Sequence, residues 1–100
     1  MEINIQETQE KIIVTLDGEL DTASAIEVEK QLQPLYNIEG HNIVIDCTNL
    51  EYIASTGLRI LLNILKQSKA HNNNLVLKNV NEDIQDVFKL TGFNTIFNFE

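Results

Sequence analysis

Positive charge is what this sequence has least of: 7 Lys and Arg stand against 15 Asp and Glu, a formal net charge of −8. A surface so acidic repels nucleic-acid phosphates and anionic lipid headgroups, which argues against both as partners. Cysteine occurs once, at Cys47, so neither an internal disulfide framework nor a multi-cysteine metal cluster can be built. No run of about 18 apolar residues is present, so direct membrane insertion by a helix is not expected. The opening Met1-Glu2-Ile3-Asn4-Ile5 has no basic leader before an apolar run, so no signal peptide is expected. No Pro-, Gly- or Ser-rich linker and no internal repeat divides the 100 residues, which are read as one domain, 1–100. Apolar residues make up 43% of the chain, ordinary for a folded domain and too many for a disordered tail. A small, soluble, cytoplasmic globular domain is the expectation.

The hydropathy pattern divides the chain into strands and helices. Ile3 and Ile5 alternate with polar neighbours and Ile12-Ile13-Val14-Thr15-Leu16 is rich in β-branched residues. Two strands are predicted, joined as a hairpin across Glu7-Thr8-Gln9-Glu10, the second broken at Asp17-Gly18. From Thr22 the period becomes helical, with Ala25, Val28, Leu32 and Leu35 on one stripe. Ser24 with Glu27 fits a capping box, while Asp21 and Thr22 are equally good caps. Pro34 kinks or stops that helix near Leu32. Ile43-Val44-Ile45 reads as a strand buried on both faces, followed by a loop signal at Asp46-Cys47-Thr48-Asn49. A second helix starts near Ser55 with Leu58, Leu61, Leu62 and Leu65 on its stripe, widened by Ile60 and Ile64, and should be the most deeply buried. The polar His71-Asn72-Asn73-Asn74 ends it, and Leu75-Val76-Leu77 is a further strand. Asn81 caps a third helix with Glu82 and Asp83 in its first turn and Ile84, Val87 and Phe88 on its apolar face; Gly92 closes it. Ile96-Phe97 can add a short last strand. The order β-β-α-β-α-β-α, with that optional strand, predicts an α/β fold with a mixed sheet covered by helices.

The stretch with most chemical content is Tyr52-Ile53-Ala54-Ser55-Thr56-Gly57-Leu58, two hydroxyls and a glycine between a buried strand and a buried helix. The first N–H groups of a helix lack internal partners and sit at the positive end of its dipole, which favours a phosphate or another anion there. The simpler alternative makes Ser55 an N-cap worth about 1 kcal/mol and Gly57 a packing residue. Enzymatic arrangements fare poorly. A nucleophile elbow would need glycine where Ile53 stands, no Gly-rich run ends in Gly-Lys-Ser/Thr, and the only candidate bases, His41 and His71, lie in polar loops. His41 and Cys47 are too few for zinc, Cys47 reading as a small core residue. No catalytic residue, cofactor or metal site is assigned, although a small-molecule or nucleotide-handling enzyme using the same helix end stays as a remote option.

Three motifs in order, Gly18-Glu19-Leu20-Asp21, Asp46-Cys47-Thr48-Asn49-Leu50 leading to Ile53-Ala54-Ser55-Thr56-Gly57-Leu58, and Leu90-Thr91-Gly92-Phe93, resemble the STAS domain. Within it they resemble the stand-alone anti-sigma factor antagonists of bacteria. The resemblance covers nearly the whole chain. It implies a regulatory binding module whose partners are an anti-sigma factor that is also a serine kinase, and a phosphatase. In the family the hydroxyl following an Asp is phosphorylated; the unphosphorylated form binds the kinase and frees the sigma factor. Carried over, Ser55 is the acceptor and Thr56 the alternative. Asp21, Ser55, Thr56, Gly57 and Leu58 then form the partner-binding surface. Ala54 stands where the family pattern carries the aspartate. That departure motivates an alternative: an unphosphorylated STAS subunit or scaffold in a transporter, lipid-transport or stress-signalling complex.

Overall fold

Two N-terminal strands fold back on each other, β1 (Glu2–Glu7) running antiparallel to β2 (Lys11–Leu20). A computed structural model describes the backbone of residues 1–100 and every side chain except that of Tyr36. The hairpin closes at Thr8, whose amide and hydroxyl both donate to the Lys11 carbonyl, at 2.8 and 3.0 Å. Three β-α units follow: α1 (Thr22–Leu32), β3 (Asn42–Ile53), α2 (Ser55–Ala70), β4 (Asn74–Lys78), α3 (Glu82–Thr91) and β5 (Asn98–Phe99). The sheet order is β1-β2-β3-β4-β5, with every pair after the first parallel. Successive right-handed crossovers that always step the same way put all three helices on one face. Ile12, Val14 and Leu16, Ile43, Ile45 and Cys47, and Leu75 and Leu77 alternate inward from the strands to meet them.

Several boundaries differ from the pattern in the sequence. Asp17-Gly18 does not break β2, and Asp46-Cys47-Thr48-Asn49 is not a loop; both lie inside long paired strands. From Thr15↔Asp46 to Asp17↔Asn49, β3 advances three residues while β2 advances two. From Gly18↔Leu50 to Glu19↔Tyr52 the same excess recurs. Each shift is a bulge that places one extra residue in β3. The polar residues satisfy it locally, Asp46 accepting from the Thr48 amide at 3.0 Å and its hydroxyl at 2.6 Å. Gly18 takes φ +113°, which a side chain would resist. Turn chemistry is present in both segments, but ladder pairing on either side carries the strands through.

Helix α1 stops at Leu32 and passes into a 3₁₀ turn, Gln33–Asn37, with Pro34 at its start and Leu35 still buried. Its N-cap is Asp21, with Ser24 rather than Glu27 completing the capping box. Helix α2 buries Leu58, Ile60, Leu61, Ile64 and Leu65, more than either neighbour. Each such side chain contributes about 1.5–3 kcal/mol. Asn81 caps α3 and Gly92 ends it at φ +79°. The last strand comes two residues later than Ile96-Phe97 suggests, because a 3₁₀ turn, Phe93–Thr95, follows Gly92. Phe97 instead enters the core, edge-on to Phe88 at 5.4 Å.

Candidate functional site

Strands β2 and β3 are parallel neighbours whose last residues, Leu20 and Ile53, are in register. Each leads after one residue into a helix, so the starts of α1 and α2 lie side by side at the carboxyl end of the sheet. The Ala54 amide donates to the Leu20 carbonyl at 2.8 Å, and the Thr56 hydroxyl donates to that of Thr22 at 3.3 Å. Gly57 permits this approach: a Cβ there would sit 2.6 Å from Leu20 Cγ and 2.9 Å from the Leu20 carbonyl oxygen. The glycine is needed for space rather than for backbone freedom.

The cap of α2 is Ala54, not Ser55, and it has no side chain that can accept from the helix amides. Ser55 is the first helical residue and is exposed. Its hydroxyl is therefore spared from capping and faces solvent at the positive end of the longest helix. Thr56 is half-buried and bonded to Thr22. Asp21 is half-buried at the adjacent helix start, where it accepts from the Ser24 amide at 2.8 Å and the Ser24 hydroxyl at 2.9 Å. These bonds, the amide first, hold its carboxyl below the ordinary carboxylate range, so it is ionised at neutral pH. Gly57 and Leu58, expected on the partner-binding surface, are buried, and Leu58 reaches that surface only in the wall of the groove beside Ser55. They seat the helix start from beneath.

Two grooves flank Ser55. One, about 270 Å³, runs between α2 and the end of α3, with Ser55, Arg59, Leu62, Thr91 and Phe93 in its walls. The other, about 210 Å³, lies between α1 and α2 and includes Thr22, Ile26, Glu29, Thr56 and Arg59. Ile26 is 78% exposed and Arg59 borders both grooves. The sequence reading missed these two. Ile26 lies off the Ala25-Val28-Leu32 stripe, and Arg59 follows Ser55 by one helical turn; both signals are legible.

The other candidates lie apart from this surface. His41 and His71 are in the loops before β3 and β4, at the opposite end of the sheet, with Nδ1 at 2.8 Å from the Glu39 carbonyl and 2.9 Å from that of Gln67. Cys47 is buried, and desolvation, aided by Asp46, pushes its thiol up to about 12, so it is protonated. Among the described residues no group of three or more His, Cys, Asp or Glu could hold a metal ion, and no helix is long and apolar enough to cross a membrane.

Residues 2–100 match the family model of the STAS domain. The chain is a STAS domain. It is similar to the anti-sigma-B factor antagonist of Staphylococcus aureus, 32% identical over 94 residues, 92% of this chain and 87% of that protein. In fold it is similar to an anti-sigma factor antagonist from Mycobacterium paratuberculosis, with a TM-score of 0.86, 19% identity, and 98% and 83% of the two chains covered. It also resembles the Bacillus cell fate determinant SpoIIAA solved in its phosphorylated form, with a TM-score of 0.75, 18% identity, and 99% and 91% covered. The STAS fold accounts for the mixed five-stranded sheet with three helices.

Proposed function

We propose that this STAS domain is an anti-sigma factor antagonist that binds an anti-sigma factor with serine kinase activity and is switched off by phosphorylation of Ser55. Residues 1–100 act as one unit, and a phosphatase resets the switch. The domain works by binding and has no catalysis of its own. The observation that carries this reading is the exposed Ser55 hydroxyl at the uncapped start of α2. The Staphylococcus relative's name and the phosphorylated form of SpoIIAA support it. Ser55 is favoured over Thr56 because the threonine hydroxyl is already bonded to Thr22.

In the transfer, Ser55 Oγ forms a bond to the γ-phosphorus of ATP as the bond to the β-phosphate oxygen breaks. ADP leaves and the hydroxyl proton passes to the kinase's base. The product carries about −1.5 to −2 charges at a helix N-terminus, which tolerates them, so the domain stays folded. A partner docked over this helix start would meet a hydrated dianion instead of a hydroxyl. A loss of about 3 kcal/mol would weaken binding about a hundredfold. With Asp21, Ser55 and Thr56 at its rim, the surface suits a partner with a basic face, whose encounter the net charge of −8 would speed. Incubation with the cognate kinase and ATP, followed by mass spectrometry, should find one phosphate on Ser55 and none in Ser55→Ala. An unmodified wild-type chain that still binds the kinase would favour the second reading, an unswitched STAS subunit or scaffold, which Ala54 motivates.

A further inference from the structure

We propose that Arg59 is the internal counter-ion of a phosphate on Ser55, a positioning residue that folds the modified side chain back along α2. The proposal rests on the reading of Ser55 as the acceptor and specifies the form that the modified state takes. Arg59 is the only arginine in a chain with 15 acidic residues. It follows Ser55 by four residues on one helix, the spacing at which two side chains lie one above the other with Cβ atoms about 5–6 Å apart. Both are exposed, and both border the groove between α2 and the end of α3.

A guanidinium presents parallel N–H donors that match two phosphate oxygens, and it stays charged at any working pH. The groups facing it decide where it points. On the α1 side the competing charge is Glu29, across the other groove that Arg59 borders. On the α3 side the walls are Thr91 and Phe93, which carry none. Ala54 leaves no carboxylate on the α2 cap itself, and the ionised carboxyl at the neighbouring helix start, Asp21, is already engaged by the Ser24 amide and hydroxyl. In the unmodified chain Glu29 is the acidic neighbour. After phosphorylation a group of about −1.5 to −2 charges on the same helix outweighs it. Modification therefore does two things at this surface. It places a phosphate at the helix start, and it withdraws the sole arginine, a residue type that anchors many interfaces, from contact with a partner.

The test uses the full chain with phosphoserine genetically encoded at position 55, so it needs no kinase. The second ionisation of the phosphate, about pH 6 for an ordinary phosphoserine, is followed by ³¹P NMR. In the wild-type background it should fall by about half a unit or more, because a facing cation favours the dianion. Arg59→Gln should raise it above the wild-type value, the α2 dipole and Asp21 acting equally in both, and Arg59→Lys should leave it between the two. The Arg59 Nε–H resonance should move with the phosphate titration. A purely structural Arg59 would alter the melting temperature of the unmodified chain and leave the phosphate ionisation alone. Equal phosphate pKa values in wild type and Arg59→Gln, with the Arg59 resonance unmoved, would overturn the proposal. The two readings fail separately: a kinase that never modifies Ser55 removes the acceptor assignment, whereas the encoded phosphoserine reports on the pairing regardless.

Discussion

Asp21 does two jobs with one carboxylate, capping α1 and standing at the rim of the surface that holds Ser55. The sequence showed the first only as one of three equivalent caps, because Asp21, Thr22 and Ser24 all have the right chemistry and only the entry angle of the chain chooses among them. The cap has a pH signature. The carboxyl is held below its ordinary value of 3.8 in the folded state, so the stability it contributes is present above that value and is lost as the pH falls through the lower, folded one. Asparagine at this position caps about as well without a charge. Urea unfolding of wild type and Asp21→Asn should thus show a stability difference that is constant above about pH 5 and shifts against the wild type below about pH 4. Asp46 is also depressed, chiefly by the Thr48 hydroxyl, but it titrates in both proteins and drops out of the difference. A difference independent of pH would mean that the Ser24 bonds do not distinguish the two ionisation states.

Among the elements, the contact between the end of β2 and the start of α2 controls the site most directly. Replacing Gly57 by alanine sets two effects against each other. Alanine is favoured over glycine inside a helix by about 1 kcal/mol. Its Cβ, however, would lie 2.9 Å from the Leu20 carbonyl oxygen, a backbone atom that cannot rotate away, and overpacking of this kind costs about 1–3 kcal/mol. The clash should win, leaving Gly57→Ala less stable than wild type by up to about 2 kcal/mol in urea unfolding. It should also weaken binding of the proposed anti-sigma partner, because α1 and α2 are pushed apart where Thr22 meets Thr56. Helix periods and the two ends of α3 were legible in the sequence because they are local: Leu58, Leu61 and Leu65 mark the buried stripe of α2, and Asn81 and Gly92 mark where α3 begins and stops. Strand ends were not. Asp17-Gly18 and Asp46-Cys47-Thr48-Asn49 carry turn chemistry, and bulges absorb it inside strands that neighbouring pairing keeps extended.

Across the whole molecule, charge is unbalanced and the dimensions are small. The chain measures 32 × 26 × 19 Å and carries a net charge of −8. At about 10 mM salt the screening length is roughly 30 Å, so nearly all the acidic groups repel one another; at about 150 mM it is roughly 8 Å and only neighbours interact. Self-repulsion destabilises a compact state, so the melting temperature should rise by a few degrees between those two conditions. A flat or falling melting curve would mean that specific ion pairs outweigh the net repulsion.

The sequence by itself determined the α/β order, the stripes that become the core, the single glycine at the start of α2 and the acidic balance, because each depends on residue type and short spacing. Only the tertiary structure decided that Ala54, not Ser55, caps α2. Only it brought Asp21 and Thr22 beside Ser55 and Thr56, and pressed Gly57 against Leu20 beneath them. Those outcomes follow from which strands become neighbours and in what register, and register is set by long-range pairing summed over β2 and β3.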